Sequence, residues 1–145
     1  MISLDDLANQ VRAAIPLTRH LHFHFANFDG DRLVVDAPLG PNHNDKGTFF
    51  AGSQSALLTL SGWSLTTLLA HQCGYPADVV AVETALKYTL PLDSDLHITV
   101  TTTQQDRFAQ RLAERGKAIL PIEAIGRSDE GNTVCEFSGV FLARR

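Results

Sequence analysis

The sequence predicts an α+β fold in which a curved antiparallel sheet wraps one long central helix, and three observations lead there. Residues 49–70 carry no charged side chain and are apolar around most of a helical circumference, the pattern of a helix enclosed by the rest of the protein. Segments 20–28, 33–37, 79–90, 96–103, 117–125 and 133–142 are rich in β-branched and aromatic residues. Turn signals such as Asp29-Gly30 and Asp93-Ser94-Asp95 separate them, as expected of antiparallel neighbours.

In chain order, Ser3 and Asp6 make a capping-box-like start, and Leu4, Leu7, Ala8, Val11, Ala14 and Ile15 recur at helical spacing until Pro16 ends the helix. Residues 20–28 alternate, with Leu21, Phe23 and Phe25 on one face and His20, His22 and His24 on the other. Asp29-Gly30 turns the chain into the returning strand 33–37, and Pro38, Gly40 and Pro41 lead into a polar loop, Asn42 to Lys46. Gly47-Thr48 opens the long helix, and Cys73-Gly74-Tyr75-Pro76 stops it. Two strands follow, then a helix over 105–115 closed by Gly116, then a final hairpin turning at Ser128 to Asn132.

A run of about 18 or more uncharged residues usually flags a membrane span. Here Gln54 and the hydroxyls of Ser53, Ser55, Thr59, Ser61, Ser64, Thr66 and Thr67 dilute it, and no Lys/Arg cluster flanks it, so no membrane association is expected. The small residues Ala51, Gly52, Ser55 and Ala56 are expected to let strands approach the helix closely. At 145 residues the chain is one domain, 1–145. A net charge of −4 argues against nucleic acid as a partner. Cys73 and Cys135 form neither a disulfide framework nor a metal pair, and without a signal peptide a cytoplasmic location is expected.

The chemistry converges on the start of the long helix. With Thr48 as the expected N-cap, the unpaired N–H groups around Ala51, Gly52 and Ser53 sit at a positive dipole end and favour an oxygen that carries or develops negative charge. The stretch PNHNDKGTFFAGSQSALLTLSGW, and its NDKGT-x-FAGS core above all, resembles the hot-dog fold and specifically the YiiD C-terminal family of thioesterases, over about residues 15–143. In some relatives the domain follows an acetyltransferase domain; only the first helix precedes it here, and no such domain is expected. The resemblance implies acyl-CoA or acyl-carrier-protein thioesters as partners, bound at the interface of a homodimer or dimer of dimers, with no cofactor and no metal. It also implies an alternative, since one branch is associated with decarboxylation of malonyl-carrier protein.

Thioester hydrolysis needs a polarised carbonyl and an activated water. Asn44, six residues before Phe50, matches the active-site Asn that phenylacetate-type relatives carry before a His-Gly-Gly segment; here Phe50 replaces the His, Ala51 the first Gly, and Gly52 is kept. Asn44 and the Gly52 N–H are therefore the candidate clamp, with Thr48, Phe50, Ala51 and Ser53 around the substrate. Relatives place an acid nine positions after the His, where this chain has Thr59, about 10 Å along the axis from Gly52 on the same face. Asp45 is the sole carboxylate of the stretch and so the candidate water activator, with Thr59 as pocket lining or water ligand. Decarboxylation needs only donors for an enolate oxygen and no base. A non-catalytic acyl-thioester-binding module is the third reading.

Plainer roles stand beside these. Asn44 and Asp45 fit a loop, Thr59 and Ser55 fit hydroxyls bonded back to the preceding turn, and His43 is an acid–base candidate or a surface residue. His20, His22 and His24 have the same-face spacing of a zinc site, yet also that of any half-exposed strand. Trp63 and Cys135 fit the core. Arg107, Arg111 and Arg115 share one face of the short helix, with Lys117 just beyond, and suit an acidic carrier protein or coenzyme A phosphates as well as solvent. Leu90 stands before Pro91 where relatives carry an Arg, which removes one phosphate contact.

Overall fold

A computed structural model describes residues 1–145. Its elements run α1 (Leu4–Ala14), β1 (His24–Phe28), β2 (Leu33–Ala37), α2 (Ala51–Gln72), β3 (Asp78–Tyr88), β4 (Leu96–Thr101), α3 (Gln105–Arg115), β5 (Lys117–Arg127) and β6 (Thr133–Arg144). All six strands form one antiparallel sheet in the order β1-β2-β4-β5-β6-β3. Inward residues alternate strictly along β5, where Ala118, Leu120, Ile122 and Ala124 are buried, and the sheet curls so that α2 touches β2, β3, β4, β5 and β6. Leu57, Leu58, Leu65 and Leu68 are wholly buried as a result, which explains a helix apolar on all sides. No helix is long and apolar enough to cross a membrane.

The local chemistry of the ends follows the sequence. Ser3 Oγ accepts from Asp6 N at 3.1 Å and caps α1. Asp29 Oδ1 accepts from Asp31 N at 2.9 Å and Arg32 N at 2.8 Å, bonds that hold its carboxyl below the usual range and tie the turn at Gly30, whose φ is 96°. Gly116 ends α3 at φ 71°, in the left-handed region that glycine enters without a Cβ penalty.

Three expectations are corrected. β1 starts at His24, because Pro16–His20 form a 3-10 turn and His22 takes φ 53°, so His20, His22 and His24 do not line one strand face and make no zinc row. Thr48 does not cap α2; the N-cap is Phe50, in extended conformation and without a side-chain cap bond. The close approach of sheet to helix is at Gly62 rather than at the helix start: a Cβ there would collide with the buried Phe141 ring, whereas Ala51 and Gly52 are exposed and Ser55 and Ala56 half-buried.

On the outer face of the sheet, His97 of β4 sits between two carboxylates, with Nδ1 2.8 Å from Asp36 Oδ1 and Nε2 2.7 Å from Asp129 Oδ1. The bond to Asp129, then that to Asp36, raises its pKa against an opposing desolvation. A group whose folded pKa lies above its unfolded value stabilises most below the unfolded pKa, about 6.5, and loses the contribution as pH rises through the folded value. Asp129→Asn is therefore expected to lower Tm at pH 5.5 and to converge on wild type at pH 9. An equal loss at both pH values contradicts a charged imidazole here.

Candidate active site

The loop before α2 is pinned from both sides. Asn42, 3% exposed, donates from Nδ2 to Leu21 O and Pro38 O at 2.9 Å each, and its carbonyl accepts from Phe50 N at 2.8 Å. Phe49 N donates to Leu92 O at 2.7 Å. Between these anchors Asn44 closes the loop: Nδ2 donates to Thr48 Oγ1 at 2.8 Å, and Oδ1 accepts from Lys46 N at 2.9 Å and Thr48 N at 3.1 Å. Thr48 is held as the partner of Asn44, which is why it is unavailable as a helix cap. A primary amide has two N–H bonds, so Asn44 retains one donor for a ligand.

The first intrahelical bond of α2 is Gln54 N to Phe50 O at 3.1 Å, so the N–H groups of Ala51, Gly52 and Ser53 find no acceptor in the helix. No side chain caps them, at a cost of about 0.5–2 kcal/mol relative to a capped start. Of the three residues, Ala51 lines a cavity of about 280 Å³, together with Asn44, Thr48, Gln54, Tyr88 and Leu90, among others. Tyr88 Oη donates to Ala51 O at 2.9 Å and fixes the end of β3 to the first turn of α2. Desolvation, with Cys135 adding to it, raises the Tyr88 pKa, so the phenol keeps its proton at neutral pH. The Phe50 ring is 52% exposed and packs against Gly52, where an added Cβ would meet it.

Thr59 and Trp63 lie one face along. With Ala56, Leu17, Leu60 and Val80 they line an apolar groove of about 430 Å³ between α2, the edge of β3 and the 3-10 turn. Ser61, Thr66 and Thr67 bond back to Leu57 O, Gly62 O and Trp63 O, at 2.7, 2.8 and 2.9 Å. Thr59 makes no such bond and faces the groove. No Lys, Arg, Asp or Glu lines the cavity or the groove.

The structure thus places Asn44, Thr48 and Ala51 on one cavity, with Phe50, Gly52 and Ser53 adjoining Ala51 at the start of α2 and Thr59 two turns on in the groove. It does not bring Asp45 there: that carboxylate is 80% exposed, pairs with Lys46 Nζ at 3.2 Å and does not line the cavity, because Asn44 turns the loop tip outward. His43 is exposed, with Nδ1 3.1 Å from Asn44 O. Arg107 and Arg111 lie far from the clamp of their own chain. Gln72 Nε2 and Gln105 Nε2 both donate to Gly30 O, at 3.1 and 3.2 Å, which sets α3 beside the C-terminal end of α2, about 33 Å from its start. Cys135 is fully buried and burial pushes its thiol up to about 11, a packed neutral group. Gln54 and Tyr88 are among the lining residues that the sequence did not single out. Tyr88 closes on the start of α2 from the far end of β3, 37 residues along the chain, and no spacing signals that.

A family profile described as "Putative thioesterase (yiiD_Cterm)" matches residues 4–145. A crystal structure from Shewanella oneidensis described as a "putative thioesterase" is similar at 27% identity and TM-score 0.86, over 98% of this chain and 97% of the other. A protein of unknown function from Chlorobaculum tepidum superposes with TM-score 0.86 at 22% identity, over 99% and 97% of the two chains. A "probable thioesterase" from Pseudomonas aeruginosa does so with TM-score 0.79 at 18% identity, over 99% and 97%. The last two show the shared hot-dog fold.

Proposed function

The chain belongs to the YiiD C-terminal thioesterase family, and we propose that it hydrolyses acyl thioesters of coenzyme A or a carrier protein, working as a homodimer. The observation that carries this is the uncapped start of α2, where three successive N–H groups have no helical acceptor and the first of their residues, Ala51, lines a cavity. A thioester carbonyl directed at them gains negative charge as water attacks, and preorganised donors are worth most in the transition state. Asn44 supplies a further N–H from the loop side. Gly52 gives the Phe50 ring room to pack on the first turn of α2, and Thr59 borders the acyl group in the groove.

The groove supports an uncharged acyl chain. A malonyl carboxylate would need a cation for company, and neither space offers one. Asp45, exposed and paired with Lys46, activates water only if the loop tip reorganises; Arg107 and Arg111 reach a carrier or coenzyme A phosphate only away from their own clamp. The homodimer is supported by β3, an edge strand of 11 residues in which all but Val79 and Leu86 are exposed. Long uncovered edges invite pairing with another chain.

Incubating the pure protein with acetyl-, decanoyl- and malonyl-carrier protein and with the matching coenzyme A esters tests this. Free thiol from the decanoyl esters is the expected result. Acetyl product with released CO₂ from the malonyl substrate indicates decarboxylation instead, and saturable binding without product indicates a binding module.

A further inference from the structure

We propose that Gln54 is a positioning residue of this site, whose side-chain oxygen holds the water that attacks the thioester carbonyl; the inference rests on the hydrolase reading above. Gln54 is the fourth residue of α2 and is 4% exposed. Its Nε2 donates to Phe49 O at 3.2 Å, and Phe49 is itself fixed by its N–H bond to Leu92 O, so the amide is oriented with its nitrogen committed to the chain. Its Oε1 is buried and has no hydrogen-bond partner. The same side chain forms part of the cavity wall beside Asn44, Thr48 and Ala51. Ser64 Oγ is also orphaned, but it lies wholly buried on α2.

An unsatisfied buried acceptor is destabilising, a cost that an apolar residue of the same size would avoid. Buried polar atoms left over by the chain are the places where ordered water binds. A small turn of the amide brings Oε1 to the cavity, and a water that donates one hydrogen to it has its oxygen lone pair free for a carbonyl carbon whose oxygen faces the Ala51 N–H. Attack forms the C–O bond as the carbonyl π pair moves onto the held oxygen. Collapse re-forms the carbonyl and breaks the C–S bond, and sulfur leaves with the electron pair. The thiolate takes up one proton lost by the attacking water, and the carboxylic acid loses the other to solvent. The amide orients the water and takes no proton, which suits a cavity without a carboxylate.

Gln54→Met keeps the volume and removes both polar ends. Its kcat for decanoyl-coenzyme A is expected to fall about tenfold to a hundredfold, the scale of a misplaced reactant, with KM within about twofold and Tm not lowered. In Gln54→Glu a carboxylate meets the same water, and the pH–rate profile is expected to gain an acidic limb that wild type lacks. Wild-type kcat in Gln54→Met with a lowered Tm makes the residue purely structural and overturns the inference while hydrolysis stands. If Gln54→Met does not fold, an unchanged pH profile in Gln54→Glu overturns it. Absence of hydrolysis from wild type with every thioester overturns the hydrolase reading and this inference with it.

Discussion

Asn44→Asp is expected to lower kcat for thioester hydrolysis by about a hundredfold, the loss typical of one oxyanion donor, while Tm stays near wild type. The two ends of this side chain do different work. Oδ1 accepts from Lys46 N and Thr48 N and shapes the loop; Nδ2 donates to Thr48 Oγ1 and has one hydrogen left for the substrate. Aspartate keeps the acceptors, and Thr48 can reverse its hydroxyl to donate. The loop survives, but the donor is gone and a negative charge faces the oxygen that must gain one. Asn44→Ala is expected to lose activity and about 1–3 kcal/mol of stability together, since the loop N–H groups are left without acceptors. Full activity in Asn44→Asp places the side chain outside the clamp and leaves it a loop residue.

Val82→Asp is expected to give a monomer by sedimentation and to lower kcat at least about tenfold, the low end of the range for losing a donor or its positioning. Val82 is 59% exposed at the irregularity of β3 between Ala81 and Glu83, with Val80 56% and Tyr88 46% exposed on the same strand. β3 pairs with β6 on one flank only. Pairing that free flank with a second copy about a two-fold axis joins two six-stranded sheets and covers the apolar residues; a carboxylate in the seam forfeits this. Tyr88, the last residue of the same strand, and Leu90 just beyond it line the cavity, so the site feels the loss of the interface. A fully active monomer shows that one chain holds a complete site. An unchanged dimer places the interface elsewhere.

Most of the architecture was legible because it rests on local signals. The bounds of β2 and α3 agree with the sequence reading, Ser3 caps α1, and Gly116 ends α3, since alternation, Ser capping and a left-handed glycine act within a few residues. The errors came where tertiary bonds outweigh propensity. Thr48 has the chemistry of a cap and is used by Asn44 instead, and Pro16 begins a 3-10 turn that shortens β1 by four residues at its start, from the expected His20 to His24. Of the candidate site, the polar loop and the long helix after it were legible, though the residue that starts the helix was not. The exposure of Asp45, the distance of Arg107 and Arg111, and the orphaned oxygen of Gln54 depend on where the loop and α3 dock, which no periodicity encodes.

The central claim is that the main-chain amides of Ala51, Gly52 and Ser53 grip the carbonyl oxygen of an acyl thioester. A ketone analogue of decanoyl-coenzyme A, with CH₂ in place of sulfur, tests it directly by amide NMR. The account predicts that the three N–H resonances shift downfield together on saturation and that Asn44→Asp weakens the shift. Saturable binding that leaves those three amides unmoved contradicts it.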